Sequence, residues 1–577
     1  MNGSTAAKSP VNQEHFQDWP NDAGFHSTYT QPTPVELKVT GTIPSYAAGV
    51  LYRTGTGANE VDTNGGTKWK VSHWFDGFAV VHRFEILPPD DEHDSVRVLY
   101  NSRSTCDGMI ETIRRTGRLE NITFGRKYDP CRSFFKKVMS TFQPRGPPRA
   151  YSRPDEVNAS ITMTVNYPGL SRKGEPQHHG HASGVQTLCN KTDSTILQFL
   201  DPKTLEPVGV ASQTKLHPDL KGPLSAAHAR SDPKTGDIFN YNLELGRRPT
   251  YRIFRVAAST GQTSILASFE ADSAYIHSLC LTENYVILCV WNSFYAHNGL
   301  SILWNRNFID AIGDYNPSKP ARWYVVDRRP PDEGGQGLIA TYECPAFFCF
   351  HTVNAFEELS EDGKSVNIIA DLVSYDNLDV LKKMYIRNLV STSPDAKEGH
   401  SIKIKPVLQR FHLDSVPKTP TKNVLQATVE DPFSETYLEL PTINPQYVLR
   451  RHRFIYGITT MGKSSFFDGL VKCDTQTGKM ITWSKHGQTP GEAIFVPRPR
   501  NSDSEPEPDE DDGVLLSVVL DGPAGKSYLL VLDPKTMIEL GRADVAGPVG
   551  FGFHGAHVPA HGSVAGAGGP EGRSVDF

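Results

Sequence analysis

The chain has 577 residues, of which 38% are hydrophobic and 21% charged, and a formal net charge of −6. This is enough apolar material for a large core, and the mildly acidic balance excludes the basic surface of a nucleic-acid-binding protein. No run of about 18 apolar residues is present, so no transmembrane helix is expected.

Residues 1–36 are polar and are expected to form a flexible N-terminal segment. The opening MNGSTAAKSPVNQEHFQDWP lacks an apolar h-region, so a secreted protein is not expected. Eight cysteines occur without a CxxC pair. In so long a chain they read as reduced thiols of a cytoplasmic protein, not as a disulfide framework.

From about residue 37 to 560 the text consists of short apolar runs rich in β-branched and aromatic residues, such as WFDGFAVVHRFEI, STILQFLDPKT, DIFNYNLEL and YVILCVWNS. Gly, Pro, Asp and Asn bound them, which is the pattern of strands joined by tight turns. The turns recur as LDPKTLEP, SDPKTGDIF, CDTQTGKMITW and LDPKTMIEL. An Asp side chain caps such a turn, and Gly permits positive φ within it. Repeated hairpins of this kind favour propeller blades over a pair of large β-sandwiches.

Three stretches interrupt the pattern. In YDPCRSFFKKVMSTFQP (128–144), Phe134, Phe135, Val138, Met139 and Phe142 can share one helical face, either packed in a core or dipping into a bilayer. NSDSEPEPDEDDG (501–513) reads as an exposed acidic loop, and residues 561–577 as a flexible tail.

Of the 20 histidines, most must be ordinary. HHGH (178–181) lies among Gly, Lys, Pro and Gln and reads as a solvated loop. His228, His277, His351 and His554 stand beside strand-like runs, separated by tens to hundreds of positions. Such gaps cannot make a local metal finger. They suit a propeller, where the inner ends of different blades face one axis, and imidazole suits iron.

The phrases LSAAHARSDPKTG, YIHSLCLTENYVI, CFHTVNAFEE and GFHGAHVP together resemble the carotenoid cleavage oxygenase family. LYRTGTG, HWFDGFAVVHRFEI, LELPTIN, GEAIFVPRP and the DDGVLLSVVLDGPAGKSYLLVLDPKTMIELGRADV block continue the resemblance, in order, from about 37 to 560. The resemblance implies an all-β fold, a seven-bladed β-propeller with a helical and loop cap over the metal face. It implies Fe(2+) held by His228, His277, His351 and His554, with O2 as co-substrate and neither NAD(P) nor haem. His557 is not implied as a ligand. Glu439 and Glu492 match outer carboxylates that orient ligand imidazoles. Asp193 stands where the family carries a third glutamate, and its shorter side chain predicts a longer or water-mediated bond. Thr164 aligns with a residue that crowds one position at the iron. Residues 128–144 resemble the membrane-facing access segment, with Cys131 at a position where a relative carries a lipid. Peripheral contact with a membrane or lipid droplet is therefore expected.

WFDGFAVVHRF and the HHGH insertion look most like the fungal branch. That likeness implies cleavage of torulene to β-apo-4′-carotenal in neurosporaxanthin biosynthesis. Central cleavage of β-carotene to retinal is the alternative. A non-oxidative isomerase or a silent carotenoid-binding propeller is the reading of a different class.

Overall fold

In the computed structural model the short apolar runs are strands paired with their sequence neighbours. It describes residues 16–119, 121–127, 153–178, 184–360, 363–402, 404–430, 433, 437–500 and 508–560. Turns of a few residues can join only antiparallel strands, so each group of runs folds as a meander. One four-stranded sheet joins Thr162–Val165, Leu188–Lys191, Ile196–Leu200 and Pro207–Ser212. The next joins Arg230–Ser231, Ile238–Glu244, Thr250–Val256 and Thr263–Glu270. A third runs from Cys280–Leu281 to Leu338–Cys344 and gains Val424–Gln426 as a parallel edge. A fourth begins with Phe348–Leu359 and a fifth with Glu439–Thr442.

The remaining long strands form one ten-stranded sheet. Val35–Gly41 lies at its middle, paired with Arg97–Ser104 on one side and Glu539–Asp544 on the other. Gly552–Pro559 pairs with Gly49–Thr56, so early and late parts of the chain are hydrogen-bonded into one sheet. The first strands of successive sheets lie against one another. Cys280–Leu281 packs on Phe348–Leu359, that strand on Glu439–Thr442, and Gly552–Pro559 on Thr162–Val165. His228 bridges to Ser278 across the intervening step. The result is an all-β, propeller-like fold with inner strands gathered round an axis.

The recurring turns are built as their Asp residues require. Asp201 Oδ1 accepts from the backbone N–H of Lys203 and Thr204 at 2.9 and 2.8 Å, and Asp232 Oδ1 from Lys234 and Thr235 at 2.6 and 3.1 Å. Asp474 and Asp533 cap theirs in the same way. The fifth residue takes positive φ in all four: Gly236 (75°), Gly478 (66°), Leu205 (61°) and Met537 (58°). The Asp-capped geometry imposes this conformation even where the residue has a Cβ that disfavours it.

Two expectations are corrected. Residues 16–36 are not loose: Trp19, Asn21 and Phe25 are buried. Asn21 Nδ2 donates to Leu389 O and Ser465 Oγ, both at 3.0 Å, because a buried amide must find partners. The acidic stretch is not wholly an exposed loop. Glu510 is half-buried and accepts from the backbone N–H of Arg453 and Phe454 at 2.8 and 2.7 Å, while Asp511 pairs with Lys472 at 2.6 Å. Residues 1–15, 128–144 with Cys131, 501–507 and 561–577 lie outside the described residues. Among the described residues, no helix is long and apolar enough to cross a membrane.

Candidate metal centre

Four histidines from four sheets meet at the axis. His228 precedes Arg230–Ser231 and His277 precedes Cys280–Leu281, while His351 and His554 lie within Phe348–Leu359 and Gly552–Pro559. Strand pairing skips both of the latter. It passes from Cys349 to Thr352 on one strand and from Gly555 to Gly552 on the other. Such bulges re-aim a side chain that regular alternation would point elsewhere. All four imidazoles are buried, and one ligand atom from each lies within 4.8 Å of the others. His228 touches each of the other three, with ring centroids at 4.9, 5.1 and 4.2 Å from His277, His351 and His554.

Behind three of the rings stand buried carboxylates. Asp193 Oδ1 and Oδ2 accept from His277 Nδ1 at 2.8 and 3.0 Å. Glu439 Oε2 accepts from His351 Nδ1 at 2.6 Å, and Glu492 Oε1 from His554 Nδ1 at 2.7 Å. Asp193 thus makes a direct contact, correcting the expected long or water-mediated bond. Its residual reach is taken up by Ala227 N–H at 3.2 Å and the Tyr275 hydroxyl at 3.0 Å.

Burial raises the Glu439 and Glu492 pKa values, but their histidine and other donor contacts outweigh it and hold both below the ordinary carboxyl range. Burial drives the Tyr275 and Tyr375 hydroxyls well above their ordinary value, which keeps them protonated donors to Asp193 and Glu439. Leu440, next to Glu439, has φ 45° and donates its N–H to Glu439 Oε2 at 2.9 Å. This left-handed residue turns the Glu439 carboxylate onto His351 at a local conformational cost.

Each Nδ1 proton donated to a carboxylate leaves Nε2 as a lone pair aimed at the axis. His351 Nε2 is buried without a hydrogen-bond partner, and His228 Nε2 faces His554 Nε2 at 3.0 Å. Converging lone pairs on buried rings repel one another, and a cation bound by them removes that cost. The donor set and spacing therefore fit a metal ion held by neutral imidazoles. His554 is also held to about 4 by burial, so it resists protonation.

His557 faces away and its Nε2 lies 3.1 Å from Ala47 O. Thr164 is buried on Thr162–Val165, the strand packed against the one carrying His554. His178 is exposed, and 179–183 lie outside the described residues, as do Phe134, Phe135, Val138, Met139 and Phe142.

Sequence reasoning missed the aromatic wall beside the centre. Phe350 stands edge-on to His277 at 5.9 Å, and Phe75 links Phe350, Phe553 and Phe124 at 5.9, 5.5 and 4.9 Å. The usable signal was position: Phe350 and Phe553 each immediately precede a histidine of the cluster.

Fold and site together define an all-β, propeller-like protein with a buried four-histidine cluster whose donors fit a metal ion. The profile of the retinal pigment epithelial membrane protein family matches residues 24–559. A Neurospora crassa protein named carotenoid dioxygenase is 40% identical over 96% of this chain and 94% of its own. A Gibberella fujikuroi torulene dioxygenase is 39% identical over 95% of each. Among solved structures, cobalt-substituted Synechocystis ACO matches with a TM-score of 0.69 at 21% identity, covering 94% of this chain and 99% of that one, a likeness of fold. The chain belongs to the retinal pigment epithelial membrane protein family, the carotenoid oxygenases.

Proposed function

We propose that the chain is a non-haem Fe(2+)-dependent dioxygenase that cleaves one carbon–carbon double bond of a carotenoid or apocarotenoid, with torulene as substrate and β-apo-4′-carotenal as product. The observation that carries this reading is the histidine cluster: four buried ligand atoms within 4.8 Å, backed by three buried carboxylates and flanked by phenylalanines. His228, His277, His351 and His554 would hold the iron, which supplies open coordination positions for O2 beside the alkene. Asp193, Glu439 and Glu492 hold the ligand tautomers and offset the ion's charge without occupying its coordination sites.

Phe75, Phe124, Phe350 and Phe553 give a long polyene an apolar, π-rich surface on which to lie. The protein's contribution is positional, since placing one bond of a conjugated chain near the centre selects it among near-equivalents. Thr164, on the strand packed against the one carrying His554, is assigned the role of crowding one coordination position. No NAD(P) or haem takes part.

The fungal relatives favour torulene; central cleavage of β-carotene is the competing reading within the class. We read the ten-stranded sheet as two blades sharing Val35–Gly41, which makes seven blades over a single domain from 37 to 560. The helices Leu300–Asn305 and Asp379–Lys383 belong to the cap. Peripheral contact with a membrane or lipid droplet is supported by exposed Leu300, Trp304 and Ile122. The Thr123–Asn307 bridge brings the ends of their two segments together.

The test is product length. Ferrous-loaded protein with torulene or β-carotene in detergent should give aldehydes resolvable by chromatography. β-Apo-4′-carotenal supports the torulene reading and retinal the central-cleavage one, while absence of aldehyde from torulene, β-carotene, apocarotenals and stilbenes rejects the dioxygenase.

A further inference from the structure

The three carboxylates behind the histidines are not built alike. Asp193 and Glu439 each take a further bond from a neutral tyrosine hydroxyl, Tyr275 and Tyr375. Glu492 takes it from a cation. Arg53 Nη1 donates to Glu492 Oε2 at 2.7 Å, Gly555 N–H reaches the same oxygen at 2.9 Å, and Oε1 is left to His554.

Arg53 is only 2% exposed. Glycines make the room: a Cβ at Gly491 or Gly552 would stand 3.2 or 2.9 Å from its Nη2, and one at Gly555 2.6 Å from its Cδ. Its Nε and Nη2 are buried without a protein partner, as is Nε2 of His82, its cross-strand neighbour. These groups line a cavity of about 10 Å³, room for one water.

A buried guanidinium with unpartnered N–H groups is costly, and an apolar side chain would fill the space more cheaply. An electrostatic role accounts for the cation. Among the described residues, the carboxylates that touch the histidines carry three negative charges, and Arg53 is the one Lys or Arg paired with any of them. Two negative charges remain, matching a divalent ion. Without Arg53 three would remain, matching a trivalent one.

We propose that Arg53 is a positioning residue of the metal centre, which fixes Glu492 behind His554 and offsets its charge so that the site favours ferrous over ferric iron. This inference rests on the iron reading above. It makes two demands on substitutions. Arg53→Gln keeps an N–H donor for Glu492 but loses the charge, leaving Glu492 like the two tyrosine-bound carboxylates. Arg53→Lys keeps the charge. Gly491→Ala leaves Arg53 in place but presses on its Nη2.

The experiment is a mediated redox titration of iron-loaded protein, following the high-spin ferric EPR signal, with thermal unfolding of the metal-free forms alongside. A lower Fe(III)/Fe(II) midpoint is expected for Arg53→Gln, a smaller shift of the same sign for Gly491→Ala, and a near-native value for Arg53→Lys. Iron-bound Arg53→Gln and Gly491→Ala at the native midpoint, whatever their thermal stability, would overturn the inference. Should Arg53→Gln fail to fold, an unshifted Gly491→Ala is sufficient to do so. Wild-type protein that takes up no ferrous iron overturns the iron reading itself, which separates the two failures.

Discussion

Replacing Asp193 by Asn probes the carboxylate whose role was least legible. Asp193 receives His277 Nδ1–H, Ala227 N–H and the Tyr275 hydroxyl, at 2.8–3.2 Å. Asn retains one oxygen for His277 and Ala227, but turns an amide NH2 toward Tyr275 and removes the negative charge. Hydrogen bonds to charged groups contribute about 1.5–3 kcal/mol and neutral ones about 0.5–1.5. The difference, about 1–1.5 kcal/mol, corresponds to roughly tenfold in an equilibrium constant. Outer partners of metal-bound histidines span about 10- to 100-fold in affinity, so Asp193→Asn is expected to weaken ferrous binding at least about tenfold. Anaerobic titration of metal-stripped protein reads this directly, with circular dichroism to confirm that the variant folds. A folded variant that binds iron within about twofold of wild type, under 0.5 kcal/mol, refutes the reasoning.

Further outcomes follow from the same geometry. His351→Ala is expected to lose the bound metal while His557→Ala retains it. Equal metal content by elemental analysis in the two variants contradicts the ligand assignment. Phe75→Ala removes a ring from the aromatic wall; that ring packs on His73 at 5.0 Å but not on a histidine of the cluster. Loss of about 1 kcal/mol of ring contact predicts roughly fivefold lower kcat/KM on a polyene at unchanged iron content. Acid should destabilise the metal-free protein. Burial lowers His73 and His82 to about 3 and His557 to about 4, against 6.5 in the unfolded chain. The unfolded state then binds more protons as pH falls from 6.5 toward 4, so stability drops by up to about 4 kcal/mol per pH unit from these three groups. A thermal midpoint that is flat or rises over that window is the contrary result.

The blades were legible because strand period, Asp-capped turns and apolar runs agree with one another. SDPKTGDIF and CDTQTGKMITW state their turns openly through Gly236 and Gly478, whereas Leu205 and Met537 adopt the same positive φ against their own preference. The four histidines were recognised through ordered phrases, since their sequence gaps carry no local geometry. Two of them depend on bulges that alternation cannot forecast. Arg53 and Tyr375 were illegible for a related reason. Each reaches its carboxylate across more than 60 positions, and only the tertiary packing of strands distant in sequence brings them together. The packed start of the chain was also hidden, because Trp19 and Phe25 are isolated apolar residues in polar text.

The proposed iron centre uses O2 to split a carotenoid double bond. Ferrous-loaded protein, incubated with torulene under 18O2 and analysed promptly by mass spectrometry, tests it most directly. Two carbonyl fragments, each carrying label from O2 and absent with His277→Ala, are the expected result; no aldehyde, or aldehyde formed equally well by His277→Ala, contradicts it.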